Sequence, residues 1–147
     1  MARKQVVIAG TFDILHPGHV FLISEAAKLG DVVVVVARDR NVVRVKGHPA
    51  TVPEEQRRFM VEALKGVTKA VLGSESTDLY RIIEQLDPDI LLLGPNQQVS
   101  TERVQKELQQ RKLRTKVQRL ESLFRDYPLS STSAILDKVL ATRKSEQ

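Results

Sequence analysis

Apolar residues in this chain come in short dense runs, and between the runs they recur every three or four positions. The runs are Val6-Val7-Ile8, residues 32–36, residues 69–72, residues 90–93 and a weaker one at 116–120. A stretch such as Val32 to Val36 has no polar alternation and reads as a strand buried on both faces. The intervening segments carry helical spacing. Phe21, Leu22, Ala26 and Leu29 fit the core face of a helix running to Gly30. Pro53-Glu54-Glu55 opens the next helix, with Phe59, Leu64 and Met60 or Ala63 as its buried stripe.

Ser76 or Thr77 caps a third helix, which turns Leu79, Ile82, Ile83 and Leu86 inward. A polar helix follows at 101–112, and a last one directs Ile135, Leu136, Val139 and Leu140 to the core. Residues 41–52 lack periodicity and read as a flexible loop over the strand ends. Five strands alternating with helices through short connections predict an α/β fold: a single doubly wound Rossmann-like domain, residues 1–147, with a mostly parallel sheet.

Charge and composition narrow the partners. The net charge of +5 favours anions, but aromatics make up only 4% of residues, leaving few platforms for stacking single-stranded bases. Much of the basic excess lies between Arg103 and Arg119, interleaved with Glu and Gln as on a solvated helix face, so a nucleic-acid partner is not expected. No apolar run approaches the roughly 20 residues that span a bilayer, and secretion is not expected. With no cysteine, the expected setting is the reducing cytoplasm.

The chemistry gathers where strands end. After the first strand comes Gly10-Thr11-Phe12-Asp13-Ile14-Leu15-His16-Pro17-Gly18-His19. Pro17 suits the first turn of a helix, and His16 and His19 then share a face beside unpaired backbone N–H groups. A strand, a glycine turn and a helix N-terminus make an anion site, and two imidazoles there point to phosphate chemistry. A closed metal site is not expected, since His48 is the only further histidine and there is no cysteine. Three other strand ends bring Arg38-Asp39-Arg40, Gly94-Pro95-Asn96-Gln97 and the segment from Arg125 to Ser133 to the same edge, where α/β sheets bind ligands.

At these residues the chain resembles the cytidylyltransferase-like nucleotidyltransferases. They share a Gly-Thr-Phe turn followed by His-x-Gly-His, and a late Ser/Thr helix cap, here Ser130-Ser131-Thr132-Ser133. Within that group the chain is most similar to archaeal-type FAD synthases, through Val36-Ala37-Arg38-Asp39, Lys46-Gly47, Val52-Pro53-Glu54-Glu55-Gln56-Arg57 and Leu93-Gly94-Pro95-Asn96-Gln97. Asn96 stands where such proteins usually carry Asp, a departure on the base side.

The resemblance implies transfer of AMP from ATP to the phosphate of FMN, giving FAD and pyrophosphate by direct in-line displacement. His16, His19, Lys46 and Arg57 are then the catalytic candidates, with Lys46 reaching phosphate from the loop and Arg57 clamping phosphate bidentately. Gly10, Thr11, Phe12, Pro17, Gly18, Asn96, Ser131, Thr132 and Ser133 become nucleotide contacts. Gln97 joins Asn96 toward ribose or base, Arg125 and Tyr127 toward base or isoalloxazine, and Asp39 is a candidate indirect ligand of a divalent cation such as Mg²⁺, which is expected mainly on the triphosphate. Homodimers are common among such proteins, and faces along residues 99–113 or the helix near Leu79 are open to pairing. Two other functions remain open: a cytidylyltransferase using CTP and an alcohol phosphate such as glycerol 3-phosphate, and a nucleotide- or nucleic-acid-binding module without catalysis.

Overall fold

The structure, a computed structural model, describes residues 3–145. In chain order its elements are β1 (Gln5–Gly10), α1 (Pro17–Ala27), β2 (Asp31–Val36), α2 (Asp39–Lys46), α3 (Glu54–Glu62), β3 (Val67–Leu72), α4 (Arg81–Leu86), β4 (Ile90–Leu93), α5 (Thr101–Gln110), β5 (Lys116–Arg119) and α6 (Thr132–Ser145). The five strands form one sheet in the order β3-β2-β1-β4-β5, with every pair parallel.

The unbroken apolar runs serve both faces, as parallel strands between two helical layers require. Val6, Ile8, Val32, Val34, Val36, Ile90 and Leu92 pack on one side with Ile23 and Ala26 of α1 and Val61 of α3. Val7, Val33, Val35, Leu91 and Leu93 pack on the other with Ile83 of α4 and Val104 and Leu108 of α5. Successive residues alternate between the two cores because the strand period is two. Sheet order reverses at β1, so a crevice opens between the carboxyl ends of β1 and β4.

Several expectations need correction. The segment read as a loop begins with α2. Its N-terminus is closed by an exchange with α3: the Asp39 N–H donates to Glu54 Oε1 at 2.9 Å, and the Glu54 N–H to Asp39 Oδ2 at 3.2 Å. Lys46 is the last residue of α2, and Gly47 ends it at φ +80°. Periodicity was weak because only Asn41 and Val42 of α2 are buried. Of the stripe expected for α3, Leu64, just past the end of the helix, does pack against the core. Phe59 and Met60 are exposed, and the inward face carries Arg57 and Val61.

The helix expected from Ser76 begins at Arg81, with Leu79 half exposed ahead of it. Along α6, Val139 and Leu140 face outward rather than into the core. No helix of the described residues is long and apolar enough to cross a membrane.

Candidate active site

The sequence after β1 builds its own cap. His16 is the N-cap of α1 in extended conformation, and its Nδ1 accepts the Gly18 N–H at 3.1 Å. His19, three residues on, accepts the His16 N–H on its own Nδ1 at 3.3 Å. This is a reciprocal capping box in which imidazoles replace the usual hydroxyl and carboxylate. The rings stack, with centroids 3.7 Å apart.

Because both Nδ1 atoms accept, each neutral ring carries its proton on Nε2 and has one N–H left to donate. Burial pushes the His16 pKa down. Burial, then His16 and Lys46, hold His19 at about 3, against a smaller upward pull from Asp13. The free site therefore holds two neutral imidazole donors at neutral pH.

Phe12 precedes them at φ +52°, uncommon for a bulky residue and costing on the order of 1–3 kcal/mol. Its side chain is core, packed beside Gly10 and 5.0 Å from the His19 ring. It is a wall rather than a ligand group. Asp13 turns the other way, and its carboxylate accepts the Thr51 and Val52 N–H groups at 2.8 and 2.9 Å. That contact fixes the chain entering α3.

The late Ser/Thr cluster meets this turn directly. Thr132 Oγ1 donates to the Ile14 carbonyl at 3.2 Å, and Ser131 Oγ accepts the Ala134 N–H at 3.1 Å as the cap of α6. Ser131 borders the histidine cavity. Thr132 is committed to Ile14, and neither it nor Ser133 is among the residues bordering that cavity.

Arg57 is not positioned as an exposed phosphate clamp. Its side chain is fully buried; Nε donates to the Val52 carbonyl at 2.8 Å, Nη1 to the Thr11 carbonyl at 2.7 Å and Nη2 to Asp39 Oδ1 at 2.6 Å. It brackets three chain segments and sets the Thr11 turn from behind. Asp39 is tied into the same junction: Oδ1 accepts from Arg57 and Oδ2 from the Glu54 N–H. No group of three or more His, Asp or Glu side chains among the described residues could hold a metal. These carboxylates offer a divalent cation no cage.

Two cavities flank the end of β1. One, about 340 Å³, is bordered by His16, His19, Gly18, Asn96, Phe21 and Phe124, among others. The second, about 360 Å³, is walled mainly by apolar side chains, including Val35, Val42, Leu91 and Leu93, with Tyr80 and Asn41 in its lining. Gly10, Thr11 and Lys46 border both. Lys46 thus lies where the two spaces meet, and its charge helps to lower the His19 pKa.

Beyond β4 the loop is built from within. Gln97 Oε1 accepts the Gly94 N–H at 2.6 Å and its amide nitrogen reaches the Ala9 carbonyl at 3.4 Å, so Gln97 orders the loop while Asn96 is exposed at the cavity. Arg119, which the sequence did not single out, donates to the carbonyls of Gly94, Gln97 and Val99 and to Thr101 Oγ1. Arg125 and Tyr127 are exposed and do not border either cavity. Their expected place is taken by Phe124, 5.5 Å from Phe21, with the Tyr127 ring behind it at 5.7 Å.

A doubly wound sheet with a capped histidine pair at its switch point defines a protein built to hold nucleotide phosphates. A model of the family described as cytidylyltransferase-like matches residues 7–136, and the chain belongs to that family. The FAD synthase of Methanosarcina mazei is 48% identical over 137 residues, 92% of this chain and 88% of that protein. The FAD synthase of Archaeoglobus fulgidus is 47% identical over 132 residues, 89% of this chain and 93% of that one. Among solved structures, the lipopolysaccharide core biosynthesis protein from Thermoplasma volcanium superposes with a TM-score of 0.78 at 34% identity, covering 84% of this chain and all of that one.

Proposed function

We infer that this chain is an FMN adenylyltransferase: it moves AMP from ATP to the phosphate of FMN, releasing pyrophosphate and FAD. The reading is carried by the meeting at Thr11 and Lys46 of two cavities, one mainly apolar and one with a larger polar share, in a chain 44–48% identical to FAD synthases. The cavity bordered by the histidines suits ATP, with adenine against Phe21 and Phe124, and Asn96 offering an amide to base or ribose. The apolar cavity suits the isoalloxazine ring, which leaves the FMN phosphate at the shared boundary.

An FMN phosphate oxygen attacks the α-phosphorus in line, and the bond from that phosphorus to the bridging oxygen of pyrophosphate breaks. Both reactants are anions, so catalysis rests on positioning and on stabilising charge. The Nε2–H groups of His16 and His19 donate to triphosphate oxygens. Lys46 draws the two phosphates together. Arg57 acts by holding the Thr11 turn. A divalent cation, held mainly by the nucleotide, would supply charge neutralisation to the triphosphate. With these substrates and no cysteine, the cytoplasm is the proposed compartment.

Incubation with ATP, FMN and a divalent cation should give FAD and pyrophosphate in equal amounts. Pyrophosphate release with CTP and glycerol 3-phosphate, and none with ATP and FMN, would replace this reading with the cytidylyltransferase one.

A further inference from the structure

One buried polar atom beside the mainly apolar cavity has no hydrogen-bond partner. Asn41, in the first turn of α2, is only 4% exposed and lies in the cavity lining. Its amide nitrogen donates to the Ser74 carbonyl at 2.8 Å and to the Ser76 carbonyl at 3.2 Å. Two acceptors on the nitrogen side fix the orientation of the amide, because a flipped group would set its oxygen against two carbonyl oxygens. The side-chain oxygen, Oδ1, is then left as a buried acceptor without a donor, the only such side-chain atom among the described residues. Buried polar groups in folded proteins are nearly always paired, and leaving one unpaired is destabilising.

An unpaired acceptor beside a mainly apolar cavity suits a ligand that is mostly apolar and carries a hydrogen-bond donor. Resting on the FMN reading, we propose that Asn41 Oδ1 accepts the imide N–H of the isoalloxazine ring and so selects the flavin acceptor. The ring's dimethylbenzene side has no donor and suits the Val, Leu and Ile walls. The imide at its other end carries one N–H between two carbonyls. The Ser74 and Ser76 carbonyls hold the Asn41 amide in one orientation before the flavin arrives. Oδ1 is covered in the empty cavity, so binding includes a small adjustment of the wall.

The test uses FMN and its N3-methyl analogue, which lacks that one N–H. Binding is followed by flavin fluorescence, and FAD formation gives KM and kcat. The wild-type protein should bind the N3-methyl compound at least about 10-fold more weakly than FMN, the ratio expected from one lost buried hydrogen bond. Asn41→Ala should weaken FMN and bring the two flavins within about twofold of each other, mainly through KM. If Asn41→Ala does not fold, Asn41→Thr is read by the same ratio, which should narrow.

A purely structural role for Asn41 would instead weaken both flavins equally and leave their ratio unchanged, which overturns the inference. Equal binding of the two flavins by the wild-type protein also overturns it and leaves the FMN reading standing. A wild-type protein that binds ATP but no FMN overturns both.

Discussion

Gly18 sits so close under the Ser130 carbonyl that a Cβ placed on it would stand 3.0 Å from that oxygen, with His16 Cε1 at 2.8 Å on the other side. The glycine of the His-x-Gly-His turn therefore lets the first helix, its capping imidazole and the start of α6 share one point. Gly18→Ala must displace either the His16 ring or the Ser130–Ser131 backbone. A shift of about 1 Å in a positioned donor can cost about 10²-fold in rate, so kcat should fall by roughly that factor. Melting temperature should change little, since Ala is favoured over Gly inside a helix by about 1 kcal/mol and this offsets part of the strain. Turnover within about threefold of wild type would show that the close approach has no catalytic consequence.

Arg57 and Asp39 give the opposite pattern. The guanidinium is buried and bonded to Val52, Thr11 and Asp39, so Arg57→Ala should act first on stability. Breaking a buried pair by removing one partner costs about 3–5 kcal/mol, and half-exposed Asp39 puts this case near the lower end. Asp39→Asn keeps an acceptor for Arg57 and should cost less. Denaturant unfolding of the two variants measures the difference. A phosphate-clamping arginine would predict the reverse, a stable variant with a greatly raised KM for ATP.

That contrast explains what the sequence could and could not reveal. Strands, helix order and the phosphate turn were legible because each is a local signal: β-branched runs, Pro at a helix start, two histidines three apart. The role of Arg57 was not, because it depends on carbonyls 5 and 46 residues away in the chain. Arg119 was missed for the same reason. Its partners lie 18 to 25 residues upstream, and in sequence it is one of many basic residues near α5. Helix α2 had local signals, Asp39 at its start and Gly47 at its end, but the absence of apolar periodicity outweighed them. Tyr127 is expected with Arg125 toward base or isoalloxazine, whereas the aromatic that borders the cavity is Phe124.

His19 predicts a pH dependence of the free protein. Its folded-state pKa of about 3 lies below the ordinary 6.5, so between those values the unfolded chain binds the extra proton. Stability from this group is fully present above about pH 6.5 and is lost as pH falls toward 3, at up to about 1.4 kcal/mol per pH unit. His16, shifted the same way, adds to the loss. Thermal melts from pH 7.5 to 4.5, at constant ionic strength and without nucleotide, should show the decline. His19→Asn, which keeps an acceptor for the His16 N–H, should flatten it. Equal slopes in the two proteins would assign the decline to other groups.

Lys46 gives the test that joins the two cavities. It ends α2, borders both spaces and lowers the His19 pKa through its charge. Lys46→Met keeps much of the stem and removes the ammonium. If the charge draws the acceptor phosphate and the triphosphate together, kcat should fall by about 10²–10³, the loss typical of removing one donor to developing charge. FMN binding, measured alone, should weaken by less, because the isoalloxazine is held by apolar walls. The same substitution should raise the His19 pKa, since one of the charges depressing it is gone, and this can be read by NMR titration of the ring. A large loss of FMN affinity with kcat unchanged would make Lys46 a binding residue for the acceptor phosphate. A raised His19 pKa with unaltered turnover would separate its electrostatic reach from catalysis.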